Sequence, residues 1–132
     1  MTSAWALPEV TRKPANLNLK TRDLLREMGY RAEITQYYNH LIGKSFDLLG
    51  FGDILAFHPG NSETILVQAC GTGDRLKRIR KILESELAAA WVRPEAGRLI
   101  WVVHWDRPTK AGERVGRWRY GVSEILPEDF EP

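Results

Sequence analysis

The sequence predicts an α/β fold in which helices flank a mixed central sheet. Two β-rich apolar runs enclose residues 59–62, Pro-Gly-Asn-Ser, and this pattern marks a hairpin. Apolar residues at helical spacing occur both before the hairpin and after it. Residues 98–105 are apolar at both alternating sets of positions, as expected of a central strand that is covered on both faces.

Caps, periodicity and turn residues then predict the elements in chain order. Asn16 caps a first helix that ends at Gly29, and residues 30–38 form a strand before the hairpin. A second helix covers residues 75–91, and residues 116–125 form the last strand. The expected order is therefore helix, three strands, helix, two strands.

Each predicted helix carries an apolar stripe that would pack on the sheet. The stripe of the first helix consists of Leu17, Leu24, Leu25 and Met28. The stripe of the second consists of Leu76, Ile79, Leu83, Leu87 and Ala90. One domain is expected over residues 16–125, with an N-terminal arm at residues 1–15 and a frayed acidic tail at residues 126–132.

Composition and charge are typical of a globular cytoplasmic protein. The 132 residues contain one cysteine, which excludes an internal disulfide and a cysteine-rich zinc site. No run reaches the roughly 18 apolar residues of a membrane span, and the N-terminal residues lack the apolar core of a signal peptide. The net charge is only +2, so a surface that binds a polyanion must be local.

The predicted hairpin gathers polar side chains on one face. Symmetric closure of its turn places Leu55 opposite Leu66 and Asp53 opposite Gln68. Because side chains alternate along a strand, Cys70 projects from the same face as Asp53 and Gln68. Polar groups among apolar neighbours cost free energy unless they find partners, so this cluster needs a structural or functional reason.

The stretch FDLLGFGDILAF and the following VQAC, set at hairpin distance within the order α-β-β-β-α-β, carry a family resemblance. The chain resembles the PD-(D/E)XK nuclease fold superfamily, and most closely small phage and prophage proteins that are similar to Holliday junction resolvases. The resemblance extends over residues 17–125. It implies a restriction-endonuclease-like αβββαβ core and metal-dependent cleavage of DNA in a bacterial or phage-infected cell.

The resemblance also implies a site. In the superfamily, acids on the second and third strands bind Mg²⁺ or Mn²⁺, and a lysine two residues later supports attack on the phosphate. Asp53 and Gln68 occupy the two metal-ligand and catalytic positions, the Ala69 carbonyl is a further ligand, and Cys70 occupies the lysine position. The site departs from the pattern twice, because an amide brings no charge to a hard cation and a thiol cannot replace an ammonium.

Other residues are candidates to complete this site. Asp47, six residues before Asp53, and Glu33 on the first strand are further candidate catalytic carboxylates. A lysine from another element is the candidate replacement for the missing ammonium: Lys20, Lys44 or Lys77. The alternative role for Asp53 is purely structural, namely a hydrogen bond to Gln68 that fixes the register of the hairpin.

The start of the second predicted helix is strongly basic. Five of its first seven residues are candidate nucleic-acid-binding residues: Arg75, Lys77, Arg78, Arg80 and Lys81. A helix N-terminus attracts phosphate, and basic side chains add to that attraction. The alternative is an ordinary solvated helix face. A second basic region consists of Arg107, Lys110, Arg114, Arg117 and Arg119.

Two functions are compatible with these patterns. The first is a Mg²⁺-dependent endonuclease that acts on duplex or branched DNA, as a homodimer because a resolvase must cut two strands. The second is a catalytically inactive module of the same fold that binds DNA or a protein. Gln68 and Cys70 favour the second function.

Overall fold

A mixed five-stranded sheet is the central layer of the protein, which a computed structural model describes over residues 16–114 and 116–131. The predicted arm at residues 1–15 lies outside the described residues. The helices are α1 (Leu17–Glu27), α2 (Arg75–Leu83) and α3 (Glu86–Trp91). The strands are β1 (Arg31–Ile34), β2 (Tyr37–Asn39), β3 (Lys44–Phe46), β4 (Ile54–Phe57), β5 (Thr64–Gly71), β6 (Arg98–Asp106), β7 (Thr109–Lys110), β8 (Glu113–Arg114) and β9 (Arg119–Ile125).

The strand order in the central sheet is β1-β4-β5-β6-β9. Strands β5 and β6 run parallel, and the other three neighbouring pairs are antiparallel. A parallel pair needs a crossover connection, which α2 and α3 supply between β5 and β6. The predicted α/β class with a mixed central sheet is confirmed.

Helices cover both faces of the sheet. Leu25 of α1 packs on one face with Ile54 and Val67. Ile82 of α2 packs on the opposite face with Leu66, in the same core as Ala88 of α3. Full burial of an aliphatic side chain stabilises a fold by about 1.5–3 kcal/mol, so these two cores hold the layers together. Within the described residues, no helix combines the length and apolar character needed to cross a membrane.

The first helix begins and ends as the sequence predicts. Asn16 Oδ1 accepts hydrogen bonds from the backbone N–H groups of Asn18 (3.0 Å) and Leu19 (3.2 Å). Gly29 follows the helix with a φ of +98°, a conformation that glycine adopts without steric cost. The predicted apolar stripe is wrong at Met28, which is exposed.

Thr21 is the buried polar residue of α1. Its hydroxyl donates to the Leu17 carbonyl oxygen (2.7 Å) and accepts from Trp105 Nε1 on β6 (2.9 Å). Both of its hydrogen-bonding roles are therefore satisfied away from water. The bond from Trp105 joins α1 to β6.

The first predicted strand, residues 30–38, is wrong as one continuous strand. β1 pairs with β4 only as far as Ile34. Beyond it, the N–H groups of Thr35 (2.8 Å) and Gln36 (3.3 Å) both donate to the Asp53 carbonyl oxygen. Two donors on one acceptor interrupt the regular ladder, and the chain leaves the sheet at this point.

The residues that leave the sheet form a separate two-stranded hairpin, β2–β3. Tyr37 and Phe46 pair across this hairpin with stacked rings, 5.5 Å apart between centroids. Leu41 lies in its turn and is 95% exposed. Both ends of the hairpin adjoin the candidate site, because Gln36 directly precedes β2 and Asp47 directly follows β3.

The predicted register of the central hairpin is confirmed. Leu55 lies opposite Leu66, and Phe57 lies opposite Thr64. Continuing this register by one pair sets Asp53 beside Gln68, at the point where β4 begins. The register therefore fixes the position of the candidate site on the sheet.

The predicted helix over residues 75–91 is wrong as one helix, because Ser85 starts a new one. Its Oγ accepts the Ala88 N–H (3.1 Å), which caps α3. The break changes which side chains face the sheet, so that Ile82 and Ala88 are the fully buried residues. Three residues of the predicted stripe are exposed: Leu76, Leu87 and Ala90.

The C-terminal part of the chain agrees with the sequence at β6 and differs after it. Val103 packs in one core and Val102 in the other, so β6 is covered on both faces as predicted. The last strand, predicted over residues 116–125, starts later as β9, and the short hairpin β7–β8 precedes it. The expected frayed tail is wrong at Pro127–Phe130, because this 3-10 turn packs Phe130 against the α2 core.

Candidate functional site

Asp53 is a buried carboxyl group at the start of β4, with 2% of its surface exposed. Its Oδ2 accepts hydrogen bonds from Gln68 Nε2 (2.7 Å) and from the Ala69 backbone N–H (3.1 Å). The bond to Gln68 is the one that the structural alternative predicts. Ala69 contributes its N–H to this contact, whereas the resemblance implies a role for its carbonyl group.

A tight turn brings Asp47 back toward this buried carboxyl group. Leu48 and Gly52 pair in an antiparallel bridge, and the chain reverses between them. The turn needs positive φ angles at Leu49 (+56°) and Gly50 (+84°). Glycine adopts this conformation easily, but for leucine it is strained and persists only where the surroundings hold it. The local backbone therefore carries strain directly beside the site.

Gln36 links the two carboxyl groups. Its Nε2 lies 2.9 Å from Asp47 Oδ1 and 3.4 Å from Asp53 Oδ1. Its own Oε1 accepts from Asn18 Nδ2 of α1 (3.2 Å), which orients the amide so that its N–H groups face the acids. Asp47 and Asp53, called the acid pair below, thus share one amide donor.

The pKa of Asp53 is raised from 3.8 to about 7. Burial is the main cause, and the hydrogen bond with Asp47 and its negative charge add to the effect. The Ala69 N–H and the positive charge of Arg78 oppose the rise. The acid pair can therefore accept or release a proton close to neutral pH.

Gln68 leaves one buried oxygen without a donor. The residue is 2% exposed, and its Oε1 has no hydrogen-bond partner although its Nε2 binds Asp53. Such a group in a native structure calls for an explanation, and an ion is one of the usual ones. Together with the acid pair it offers the oxygen donors that Mg²⁺ and Mn²⁺ prefer.

These residues fit the cation that the resemblance implies. Across residues 16–114 and 116–131, no three His, Cys, Asp or Glu side chains come together. The residues that would hold a cation at this point are the acid pair and Gln68, whose Oε1 is the buried oxygen without a donor. This set carries two carboxylates and one neutral oxygen, and Asp47 supplies the charge that Gln68 lacks.

Cys70 lies on the same strand and is 4% exposed. Burial raises the pKa of its thiol, so the group stays protonated and neutral at physiological pH. It packs with Ile82 and Leu66 in the core under α2. Position 70 therefore contributes apolar packing and no positive charge.

Glu33 and the lysines considered as replacements lie elsewhere. Glu33 is exposed and pairs with Arg26 of α1 (2.9 Å). Lys20 lies over the rings of Trp105 (5.7 Å) and Trp118 (5.4 Å), on the α1 side of the sheet. Two further candidates are exposed: Lys44 and Lys77. None of these described contacts connects them to the acid pair.

Arg78 is the basic residue of α2 whose charge acts on Asp53. It is half-buried, and its Nε is fully buried without a hydrogen-bond partner. Its positive charge lowers the pKa of Asp53 and also that of the Cys70 thiol, against the larger effect of burial. The sequence pattern places Arg78 among five basic residues without distinguishing it from the others.

The five basic residues of α2 separate into two groups. Lys77, Arg80 and Lys81 are exposed and, at spacings of three and four residues, lie on one side of the helix. This exposed set is called the basic ridge below. Arg75 is half-buried, and its Nε donates to Ser123 Oγ on β9 (3.0 Å), so it holds the helix on the sheet.

Two residues of the second basic region make polar contacts within the protein. Arg107 Nε donates to the Gly116 carbonyl oxygen (3.0 Å), and Arg119 pairs with Asp106 (2.8 Å). Three of its members are exposed: Lys110, Arg117 and Arg119. The side chain of Arg114 lies outside the description.

Sequence reasoning missed Gln36 as part of the site. A signal existed, because a predicted strand over residues 30–38 sets this amide on the same face as Ala32 and Ile34. A polar residue in such a row is a candidate for a specific hydrogen bond. Its actual position depends on the early end of β1, which the sequence did not predict.

Comparison with known proteins gives no match. No family model matches the sequence, no curated protein matches it, and no solved structure matches the fold. Function is therefore inferred from the geometry of the acid pair and its surroundings.

Proposed function

We propose that this protein binds DNA and hydrolyses its phosphodiester bonds with Mg²⁺ or Mn²⁺, through a PD-(D/E)XK-type core with a rearranged motif. The observation that carries the proposal is the acid pair beside the unpartnered oxygen of Gln68. Fixing the hairpin register requires only the bond between Asp53 and Gln68. A second carboxyl group against the first raises the free energy of the ligand-free protein, which favours a role in binding a cation.

The order of the core elements supports the proposed PD-(D/E)XK-type core. When the excursion β2–β3 is set aside and α2 and α3 are counted as one crossover, the chain runs α1, β1, β4, β5, α2–α3, β6. This is the order α-β-β-β-α-β that the resemblance implies. Asp53 at the start of the second core strand and Gln68 on the third face each other across the hairpin.

The acid pair would supply the charge that holds the cation for hydrolysis. Mg²⁺, when bound, supplies a Lewis acid that offsets phosphate charge and lowers the pKa of water. Solvent takes the proton that water loses as its oxygen bonds to phosphorus, while the acid pair would hold the cation. The bond from phosphorus to one sugar oxygen breaks, and solvent supplies a proton to that oxygen. The pKa of about 7 at Asp53 belongs to the cation-free protein, so a cation competes with a proton for this carboxyl group.

The basic ridge supports DNA as the substrate. Lys77, Arg80 and Lys81 are exposed on the helix that covers the same face of the sheet as Gln68. Exposed cations on one helix side bind successive phosphates without reading the bases. A homodimer would present two such sites to two strands, and this assembly is part of the proposal.

A second function is DNA or protein binding without cleavage. The observations that favour it are the neutral amide of Gln68 in place of an acid and the buried neutral thiol of Cys70 in place of a lysine. Under this function the acid pair and basic ridge would be kept for binding alone.

One assay separates these functions. Purified protein is incubated with a four-way junction, a linear duplex and a single strand, with Mg²⁺, with Mn²⁺ and with chelator, and both cleavage and gel retardation are measured. Cleavage that requires the metal and is absent in Asp53→Asn supports the nuclease. The asparagine retains the acceptor for Gln68 and Ala69, so the fold is expected to survive.

Two other outcomes would contradict the nuclease. Salt-sensitive retardation without cleavage by the wild-type protein replaces the nuclease with the binding module. Neither cleavage nor retardation contradicts both DNA functions. The exposed Asp23→Asn variant is the matched control, because it makes the same substitution away from the site.

A further inference from the structure

We propose that Arg78 supplies the positive charge of the candidate site and binds the phosphate on which the acid pair acts. It takes the place of the lysine that the motif lacks at Cys70. The inference rests on the proposed function and deepens it, because it assigns phosphate binding to one residue. Three observations carry it, namely a row of residues across the sheet, the side of α2 that faces this row, and a buried nitrogen without a partner.

The row runs across three neighbouring strands. Gln68 on β5 pairs with Val102 on β6, and Val102 pairs with Ser123 on β9. Asp53 extends the row on the other side through its hydrogen bond with Gln68. Val102 belongs to the core under α2, so the row lies on the face that this helix covers.

The inner side of α2 lies over this row. Arg75 marks one point of contact, because its Nε donates to Ser123 Oγ at the β9 end of the row (3.0 Å). Arg78 follows three residues later and precedes the fully buried Ile82 by four. Residues at these spacings share one side of a helix. Arg78 therefore points toward the sheet, one turn along from the residue that binds Ser123.

The burial of Arg78 is not compensated by a partner. Its Nε is buried and makes no hydrogen bond, although guanidinium N–H groups are strong donors. A buried donor without an acceptor is costly, and the cost is removed when an anion binds it. The guanidinium can donate two parallel hydrogen bonds to the oxygens of one phosphate. An oxygen of the scissile phosphate is the acceptor that this site lacks.

The electrostatic effects agree with this geometry. The positive charge of Arg78 lowers the pKa of both Asp53 and Cys70, and position 70 is where the motif has its lysine. Arg75 acts on Cys70 as well, but it is bonded to Ser123. The basic ridge differs in this respect, because Lys77, Arg80 and Lys81 face solvent. In this proposal Arg78 acts in the site, the basic ridge binds DNA, and Arg75 holds the helix on the sheet.

The test compares Arg78→Met with Arg80→Met. Methionine keeps the apolar stem that helps each helix pack and removes only the charged head. For Arg78→Met, the cleavage rate at saturating DNA is expected to fall by about 10²-fold or more. Its Kd for DNA, measured with Ca²⁺ in place of Mg²⁺, is expected to rise by a smaller factor than the rate falls, because only one of several phosphate contacts is lost. For Arg80→Met, the effect is expected mainly in Kd, because this residue belongs to the basic ridge.

A rescue experiment makes the assignment specific. Cys70→Lys restores the lysine of the motif, and Arg78→Met removes the positive charge that acts on position 70. The double variant is expected to recover most of the cleavage rate that Arg78→Met loses. Thermal unfolding of each variant verifies that it is folded, and Arg78→Lys offers a smaller change if methionine prevents folding.

The outcomes separate the two proposals. Wild-type cleavage together with an unchanged rate in Arg78→Met overturns the role of Arg78 and leaves the nuclease standing. An effect that appears only in Kd also overturns it, because Arg78 would then act like the basic ridge. A wild-type protein that neither cleaves nor retards DNA overturns the proposed function and the role of Arg78 with it.

Discussion

Gln68 donates its amide N–H to Asp53 Oδ2 over 2.7 Å, while its own buried Oε1 has no donor. The first half of this relationship fixes the register between β4 and β5. The second half leaves an oxygen without a hydrogen bond in a region from which water is excluded. A residue with only a structural role would be expected to satisfy both ends of its amide.

The pKa of Asp53 predicts how stability depends on pH. Its value in the folded protein is about 7, against 3.8 for the free side chain, so the folded state binds the proton more tightly. The stabilisation is complete below about pH 4 and is lost as the pH rises toward 7. The loss amounts to about 4 kcal/mol at most, and urea unfolding at a series of pH values measures it.

Asp53→Asn is expected to remove this dependence. At pH 8 the variant should be more stable than the wild-type protein, because the amide keeps the bonds to Gln68 and Ala69 without a buried charge. The exposed Asp23→Asn variant serves as the control and should keep the wild-type profile. Equal stabilities of Asp53→Asn and wild type from pH 4 to pH 8 would contradict a raised pKa.

Divalent cations are expected to stabilise the protein above neutral pH. Binding of Mg²⁺ or Mn²⁺ to the acid pair raises the free energy of unfolding by RT ln(1 + [M]/Kd), or about 2.7 kcal/mol when the cation is at 100 times its Kd. The increase should vanish in Asp53→Asn and weaken in Asp47→Asn. It should also weaken as the pH falls below 7, where the pair takes up protons. Calorimetric unfolding with and without chelator measures these effects.

Glu33→Gln is the control for this prediction. The sequence makes Glu33 a candidate carboxylate of the site, but the residue is exposed and pairs with Arg26. Its replacement is expected to leave the cation response intact. A response that disappears in Glu33→Gln and persists in Asp47→Asn would place the cation on the outer edge of β1 and reject the acid pair as its ligand.

The basic ridge is expected to determine the salt dependence of DNA binding. Replacing Lys77, Arg80 and Lys81 by alanine should reduce the slope of log K against log salt by about 0.9 for each phosphate of duplex DNA that is no longer neutralised. Fluorescence anisotropy across a series of salt concentrations measures this slope. Arg31 and Arg93, exposed elsewhere, provide a double alanine control that should keep the slope close to that of the wild-type protein. A ridge variant with the wild-type slope would show that DNA binds another surface.

The sequence predicted the centre of the fold because its signals there were local. A four-residue turn set the register of β4 and β5, and Asn16 and Gly29 set the ends of α1. The capping of α3 by Ser85 was also local, but a continuous apolar stripe obscured it. The burial of Thr21 depended on a distant partner, Trp105, and no spacing within α1 reveals such a contact.

The candidate site was predicted only in part, for the same reason. Asp53 and Gln68 follow from the hairpin register, and Asp47 was a candidate from its place six residues before Asp53. The strained turn at Leu49 that brings Asp47 to the site was not predicted. Gln36 reaches the acid pair only because β1 ends early. Contacts that depend on where the chain leaves a sheet cannot be derived from periodicity, since periodicity describes the regular part of each element.

Gln68→Glu restores the acid of the motif. The variant is expected to be less stable than the wild-type protein without a cation and to bind a cation more tightly. In chelator at pH 8, a buried carboxylate would replace the amide that now donates to Asp53, and the like charges should cost about 2 kcal/mol or more of stability. With Mg²⁺ the third carboxylate becomes a ligand, so cation affinity should rise above that of the wild-type protein. Gln68→Met, which removes the amide without adding charge, should lose affinity. If Gln68→Glu were as stable as wild type in chelator and gained no affinity, the unpartnered oxygen of Gln68 would have no connection with a cation.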